Sequence, residues 1–403
     1  MEIGSTQLLR QDKCEQCEHY NRIASLVKQT QDELDSFLRD FLDPWYRSLE
    51  NPMQSQESTL LSLIDGYKKT EYGRKFLSAQ SSVEEFKERF PITSYRELVP
   101  YIRRVESGEY NSLLPEPAIS WVMTRGTTGT AKVIPVTETH LSQVFTNGAR
   151  AITNFALKRD PQILAKKVLN LNFPSEVGVL NTSSGQMPYG YSSGTYAKLF
   201  PSFGETGLVP LQEDIDSMGS GITSKDWEAR FELVYQKAKE ESVGSVMGVT
   251  PVIVAFANYL RKRHHTFPKN LWKMKALFCT SVAKIHSKYS PIVRHFYGEA
   301  PVVEMYSATE GVFGQQIDEL PYICPNYDTY FFEVNTRKGV RQLCEMKPRE
   351  WGSIVISSVI FPRYEIGDLV ESLGKGYFRI FGRTGFYAKL EHSFYNLLTL
   401  RAL

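Results

Sequence analysis

An α/β fold is what this 403-residue chain predicts, and three observations carry the prediction. From Pro115 to Tyr327, short apolar runs alternate with helical patterns of roughly 10 to 15 residues, the arrangement that builds a sheet flanked by helices. Before Pro115 the chain is mainly helical by apolar periodicity and capping. After Tyr327 the pattern becomes short and all-β, a small β-rich piece beside the main sheet. At about 150 residues per domain the length suits two or three domains, or one large domain with an appendage. Hydrophobic residues make up 42% and charged residues 23%, which is globular composition and excludes disordered and fibrous classes.

The elements follow in order. Apolar side chains at Ile23, Leu26, Val27, Leu34, Phe37, Leu38, Phe41 and Leu42 repeat at a helical period, and Pro44 is expected to end that helix. Further amphipathic segments run over Ser58 to Tyr67 and Val83 to Phe90. In SYRELVPYI, Ser94 followed three residues later by Glu97 reads as a capping box. Strands are expected at Ile119 to Met123, Val133 to Val136, Val168 to Leu171, Ala276 to Cys279 and Val302 to Met305. Helices are expected at Trp227 to Glu241 and Pro251 to Arg261. The β-rich end contributes Tyr330 to Val334, Ile354 to Ile360 and Tyr377 to Phe381.

Charge and cysteine usage narrow the class. Forty-seven Lys plus Arg against 45 Asp plus Glu leave a net charge of +2, without the basic excess of a nucleic-acid binder. No apolar run approaches the ~20 residues of a membrane span, and the polar opening MEIGSTQLLRQDKCEQ lacks a signal-peptide core. Five scattered cysteines do not form a disulfide scaffold. Cys14-x-x-Cys17 with His19 is half of a zinc pattern without its second pair, and reads as a reduced, solvated pair. The expectation is a cytoplasmic monomer without nucleic-acid or membrane partners.

Three constellations carry chemistry. In Thr124-Arg-Gly-Thr-Thr-Gly-Thr-Ala-Lys132, glycines let several N–H groups face one anion, threonine hydroxyls add donors, and lysine adds countercharge. It is not a Walker A loop, because Val133 stands where a metal-binding hydroxyl would be and a strand follows instead of a helix. Taken alone, it is also a plain turn. In Tyr306-Ser-Ala-Thr-Glu310-Gly311, a carboxylate at the end of a strand suits a metal–phosphate site, or else a solvated loop glutamate. In Tyr364-Glu-Ile-Gly-Asp368 with Phe378-Arg-Ile-Phe-Gly-Arg383, an aspartate in a tight turn can accept both hydroxyls of a ribose and an arginine can reach the same ligand. Alone this is a β-hairpin.

In this order and spacing the three resemble the signature of adenylate-forming enzymes. More narrowly, TEYGRKF and FKERFPITSYRELVPYIRRVESGEYNSLLPEPAISWVMTRGTTGTAK resemble the plant auxin-responsive acyl-acid amido synthetases and their bacterial relatives, over roughly residues 35 to 385. The resemblance implies a large N-terminal adenylate-forming domain of mixed sheets flanked by helices, ATP with Mg²⁺, and a small carboxylic acid joined to an amino acid. It implies that Thr124, Gly126, Thr127, Thr128, Gly129 and Lys132 hold the β- and γ-phosphates. Tyr306 would stack on adenine, with Ser281 and Val282 along the nucleotide. Thr309 would bond the α-phosphate, Glu310 would ligate Mg²⁺, and Asp368 would bind the ribose with Arg383 nearby. Thr309, Glu310 and Lys132 would be the catalytic set.

Arg125 stands where the plant members carry Ser. On the same resemblance, 1–34 is a helical, polar extension, 35–383 the adenylating domain, and 384–403 a hinge and tail with no lid domain after it. The chain is therefore expected to be a truncated or frameshifted product. Coenzyme A as acceptor, or a non-catalytic binding remnant, are the rival expectations. Gly185 to Gly194 reads as a Gly/Ser/Tyr loop, facing the acyl pocket by resemblance or lying free on the surface. Val249-Thr-Pro251 opens a helix that lines the acid pocket by resemblance, and core by pattern. Arg261 to His265 reads as helix-end capping. No histidine has a Ser or Cys motif partner for a hydrolase triad.

Overall fold

Pro44 does not end the first helix. In the computed structural model, which describes residues 31–124, 131–183, 185–199 and 207–384, α1 runs through it from Gln31–Glu50. Leu34, Leu38, Leu42 and Trp45 are all buried on one face, and the Trp45 indole donates to the Pro325 carbonyl at 3.0 Å. That burial outweighs the single backbone bond and the ring crowding a proline imposes. The earlier part of this expected helix, with Cys14, Cys17 and His19, lies outside the described residues.

Helices α2 (Pro52–Tyr67), α3 (Glu71–Arg74), α4 (Val83–Arg89) and α5 (Tyr95–Glu106) follow. The Glu97 carboxylate accepts from the Ser94 N–H at 2.7 Å and from its hydroxyl at 2.8 Å. Strands β1 (Ala118–Met123) and β2 (Val133–Thr137) pair antiparallel. Next comes α6 (Glu138–Lys158), where Thr137 caps the start by accepting from the His140 N–H at 3.2 Å. Periodicity leaves this 21-residue helix unmarked, because Thr146, Asn147 and Gly148, all weak helix formers, interrupt it.

After β3 (Lys167–Leu169) the expected loop at Gly185 to Gly194 is a strand and a helix instead. It comprises β5 (Gly185–Tyr191), paired with β4 (Gly178–Thr182), and the start of α7 (Ser192–Leu199). Gly190 and Gly194 serve close approach instead of flexibility. A Cβ on Gly190 would lie 2.1 Å from the Ser175 carbonyl oxygen, and one on Gly194 2.1 Å from that of Phe173.

The remainder runs β6 (Leu208–Val209), α8 (Gln212–Ser217), α9 (Ser224–Ala238), β7 (Val243–Val249), α10 (Thr250–His264), α11 (Pro268–Leu271), β8 (Ala276–Thr280), a π-helical turn at Ile285–Tyr289, and α12 (Ser290–Tyr297). Then come β9 (Val302–Ala308), β10 (Gly311–Gln315), β11 (Cys324–Pro325), β12 (Phe331–Thr336), β13 (Gly339–Gln342), β14 (Trp351–Ser357), β15 (Tyr364–Gly374) and β16 (Tyr377–Arg383).

The central sheet has the order β11-β10-β9-β8-β7-β3-β6. From β6 to β9 the pairs are parallel, and β10 and β11 close the edge antiparallel. Helices α9, α10 and α12 cover one face through Phe231, Phe256 and Val293. Helices α1 and α6 cover the other through Leu38, Ile152 and Phe155. Burial on both faces is why its strands read as continuous apolar runs. A second sheet, β2-β1-β5-β4, and a third, β13-β12-β14-β15-β16, share one core with α2, α4 and α5. Among the described residues no helix is long and apolar enough to cross a membrane.

The basic run at Arg261 to His265 lies at the end of α10, as capping predicts. There the Glu232 carboxylate takes the Tyr259 hydroxyl at 2.6 Å and the Gln236 amide at 2.8 Å, with His264 Nε2 at 2.7 Å. Burial opposes its charge, but these partners outweigh it and bring the carboxyl from 4.5 down to about 2. A depressed carboxylate contributes stability that is present above its unfolded value and lost as pH falls through the folded one. Urea unfolding between about pH 5 and about pH 2 should therefore show a steeper acid loss for the native chain than for Glu232→Gln. Parallel curves would remove Glu232 from the acid limb.

Candidate active site

A cavity of about 860 Å³ opens where β7, β8 and β9 end, bordered by Val249, Thr280 and Ala308. The carboxyl ends of parallel strands are where open α/β sheets take ligands, because chain direction reverses and loops diverge there.

The turn between β9 and β10 carries Thr309 and Glu310. Glu310 is 5% exposed. Its Oε1 lies 3.4 Å from Lys132 Nζ and accepts from the Tyr364 hydroxyl at 3.2 Å. Lys132 Nζ in turn donates to the Tyr364 oxygen at 2.7 Å. The ammonium also lies 5.6 Å from the Tyr95 ring centre and 5.3 Å from that of Tyr364, inside cation–π range. Tyr95 is fixed because its hydroxyl donates to the Val133 carbonyl at 2.9 Å and accepts from the Val133 N–H at 3.0 Å. Burial, then the Glu310 charge, pushes the Tyr364 phenol well up, so it stays a neutral donor.

The base of the Gly/Thr loop is clamped. The Thr124 N–H donates to the Lys132 carbonyl at 2.9 Å, and the Lys132 N–H to Thr124 Oγ1 at 3.0 Å. Gly126, Thr127, Thr128 and Gly129, with Arg125, lie outside the described residues.

Thr309 is held by α7, and α6 backs that contact through His140; the sequence patterns marked neither helix. Its Oγ1 lies 3.4 Å from Ser192 Oγ, and its carbonyl accepts from the Tyr196 hydroxyl at 3.3 Å. That hydroxyl lies 3.2 Å from His140 Nε2. Burial brings His140 down to about 4, so a neutral imidazole backs the contact near neutral pH.

Asp368 is not in a tight turn, as expected, but inside the long strand β15, opposite Arg383 in register. The kink is supplied by Gly367 at φ 94°, a conformation open to glycine at little cost. Arg383 Nε lies 3.2 Å from Asp368 Oδ1, and the Tyr306 hydroxyl donates to Oδ2 at 2.9 Å. Burial raises the Asp368 carboxyl, with Arg383 and Tyr306 pulling it back. Tyr306 borders the cavity at 4% exposure, its ring packed 5.2 Å from that of Phe313. Ser281 and Val282 also border the cavity, just after β8. Ser281 takes φ 72° and Lys284 φ 63°, left-handed conformations that cost a non-glycine residue energy and concentrate at ligand-contacting segments.

The described candidates thus share one wall. Tyr95, Tyr364, Ser192 and Tyr196 are the site-positioning residues that sequence reading left without a role. Tyr95 and Tyr364 stand within the very segments quoted above, so an aromatic flanking each motif was the available signal. Among the described residues no group of three or more His, Cys, Asp or Glu could hold a metal by itself. A single carboxylate, Glu310, fits an ion such as Mg²⁺ that keeps most of its shell as phosphate oxygens and water.

The parallel sheet with its antiparallel edge has the fold of the adenylate-forming ligases. The chain superposes on the Arabidopsis acyl acid amido synthetase AtGH3.15 in complex with 2,4-DB with a TM-score of 0.70 at 16% identity, covering 87% of this chain and 71% of that one. On a 2-hydroxyisobutyryl-CoA ligase in an open conformation the TM-score is 0.56 at 15% identity, covering 81% and 73%. More particularly, residues 43–219 match the GH3 family N-terminal domain. Over 95 residues it is 35% identical to the indole-3-acetic acid-amido synthetase GH3.15 of Arabidopsis thaliana, a stretch of 23% of this chain and 16% of that protein. Over 96 residues it is 32% identical to the 4-substituted benzoates-glutamate ligase GH3.12 of the same plant, which is 17% of that protein's length. The matched stretches thus span about a sixth of these curated relatives.

Proposed function

We propose that the chain activates a small carboxylic acid with ATP and passes the acyl group to an amino acid. What supports the reading is that Lys132, Glu310, Asp368 and Arg383 all border one cavity at the carboxyl ends of the parallel strands. In the first step a carboxylate oxygen attacks the α-phosphorus, the bond to the β-phosphate oxygen breaks, and pyrophosphate leaves. In the second an amine attacks the acyl carbon, AMP leaves with the adenylate oxygen, and the nitrogen loses a proton.

Lys132, steered by Tyr95 and Tyr364, supplies countercharge to the phosphates, with Thr124, Gly126, Thr127, Thr128 and Gly129 as the loop donors. Glu310 would hold Mg²⁺, which when bound neutralises phosphate charge. Thr309 presents its hydroxyl to the α-phosphate, kept in place by Ser192 and Tyr196. Asp368 and Arg383 receive the ribose, and Tyr306, Ser281 and Val282 border the base. Fixed donors aimed at developing charge supply the larger part of such catalysis. The reading takes residues 35–383 as the adenylating unit of a cytoplasmic monomer.

Exchange of labelled pyrophosphate into ATP, run with a panel of aryl and alkyl acids, tests this. Acid-dependent exchange, followed by amide and no thioester, is the expected result. Thioester formation with coenzyme A would move the acceptor to the second reading, which the fold shared with the CoA ligase keeps open. No exchange with any acid of the panel would make the chain a non-catalytic binding remnant.

A further inference from the structure

The hairpin that presents Glu310 is gripped from behind, by residues that do not border the cavity. Strand β10 leaves the Thr309–Glu310 turn through Gly311 and Val312, and its pairing with β9 shifts register between Val312 and Gly314. Such a shift takes backbone groups out of the ladder, and buried ones need other partners. The chain between β11 and β12 supplies them. Asn326 donates its backbone N–H to the Phe313 carbonyl at 2.9 Å and its side-chain amide to the Val312 carbonyl at 2.9 Å. The Tyr330 hydroxyl accepts from the Val312 N–H at 3.3 Å.

Tyr330 is fully buried and meets each of the three residues that follow Glu310. A Cβ on Gly311 would lie 2.7 Å from its hydroxyl oxygen. Val312 donates to that oxygen, and the Phe313 ring stands edge-on with its centre 5.0 Å from that of Tyr330. The tyrosine is itself anchored. Its carbonyl accepts from the Gln56 amide on α2 at 2.7 Å, and its N–H donates to the Asn326 carbonyl at 3.1 Å. The Asn326 side-chain oxygen in turn accepts from Arg150 at 2.8 Å and from Gln315 at 2.9 Å. Phenylalanine would fill the same core volume, so the hydroxyl is what ties this anchor to the hairpin.

We propose that Tyr330 is a positioning residue: its hydroxyl, bonded to Val312 and closed against Gly311, fixes the outgoing strand of the hairpin and so the placement of the Glu310 carboxylate. The proposal rests on Glu310 as the Mg²⁺ ligand in the reading given above, and extends the site to a residue behind its wall. Groups that orient a metal ligand from outside contribute to metal affinity without touching the ion. Tyr364 and Lys132 hold the carboxylate at its tip, whereas Tyr330 holds the backbone from which it projects.

The test titrates ATP into the full native chain, Tyr330→Phe, Gly311→Ala and the double variant by calorimetry, with and without Mg²⁺. Tyr327→Phe is the control: it removes a hydroxyl from the same segment, where the ring borders Leu343, Cys344 and Met346. In Tyr330→Phe the gain in ATP affinity that Mg²⁺ confers should fall about tenfold, the scale for losing a group that orients a metal ligand. Its ATP affinity without the metal should stay native, and Tyr327→Phe should keep the full gain. Gly311→Ala presses on the same contact, so the double variant should lose less than the product of the two single losses. In pyrophosphate exchange, Tyr330→Phe should lower the maximal rate at unchanged half-saturation by the acid. A Tyr330→Phe chain that melts earlier but keeps the full Mg²⁺ gain makes the hydroxyl a matter of packing and overturns the proposal. Should that variant fail to fold, a full gain in Gly311→Ala overturns it equally. A native chain without any Mg²⁺ gain overturns it even if exchange occurs. A gain that Tyr330→Phe lowers, in a native chain that exchanges with no acid, would leave this proposal standing and refute acid activation instead.

Discussion

Glu310→Ala loses acid-dependent pyrophosphate exchange, by at least about a hundredfold, the scale of removing one preorganised group that meets transition-state charge. Arg263→Ala keeps nearly all of it. The contrast follows from position. Glu310 is buried beside the cavity and bonded to Tyr364 and Lys132, whereas Arg263 is exposed on the last turn of α10. The alanine variant removes the carboxylate proposed for Mg²⁺ and one of the groups that hold Lys132 in place. Arg263→Ala should melt like the native chain, since its side chain is exposed, and a melting curve of Glu310→Ala shows whether its fold is intact. Equal exchange rates in the two would refute the site as drawn.

The second large effect is on stability. Arg363→Ala should cost about 3–5 kcal/mol, the range for stripping one member from a buried ion pair. Arg363 Nε and one terminal nitrogen donate to the two oxygens of Glu333, both at 2.8 Å. The other terminal nitrogen donates to the carbonyls of Lys87 at 2.7 Å and Phe90 at 2.6 Å. The side chains are 8% and 3% exposed, so loss of the guanidinium strands a carboxylate and two carbonyls without partners. Denaturant unfolding should show a lower midpoint with an unchanged slope. Because these bonds join the end of α4 to β12 and β15, the loosened part should be the helical segment against the third sheet. A loss of unfolding free energy below about 1 kcal/mol would mean that the pair is not holding this joint.

Much of this architecture was legible because local and tertiary preferences agree. The doubly covered sheet requires apolar strands, and those runs stand out at Ala276 to Cys279 and Val302 to Met305. The capping pair Ser94 and Glu97 marks α5 within three residues. Where reading failed, burial overrode a local rule. Trp45 and its neighbours carry α1 across Pro44, and α6 forms despite Thr146, Asn147 and Gly148 because Val144, Ile152 and Phe155 pack on the sheet. At Gly190 and Gly194 one residue type serves two purposes, and composition cannot separate a loop from close packing. The site divided in the same way. Lys132, Glu310, Asp368 and Arg383 were recognisable from their motifs. The contacts that aim Thr309, from Ser192, Tyr196 and His140, join residues 56 to 117 positions apart and leave no local trace.

One contact bears on how the molecule could be divided. Tyr95 belongs to the helical segment, yet its hydroxyl is bonded to both backbone groups of Val133, 38 positions away, and its ring forms one side of the enclosure around Lys132. The helices are therefore no detachable prefix to the sheets that carry Lys132. A minimal fragment cut at the visible change of texture near Pro115 would keep the lysine and discard what aims it. Any recombinant exchange between related chains that leaves this lysine correctly placed must carry Tyr95 and the following strand across together.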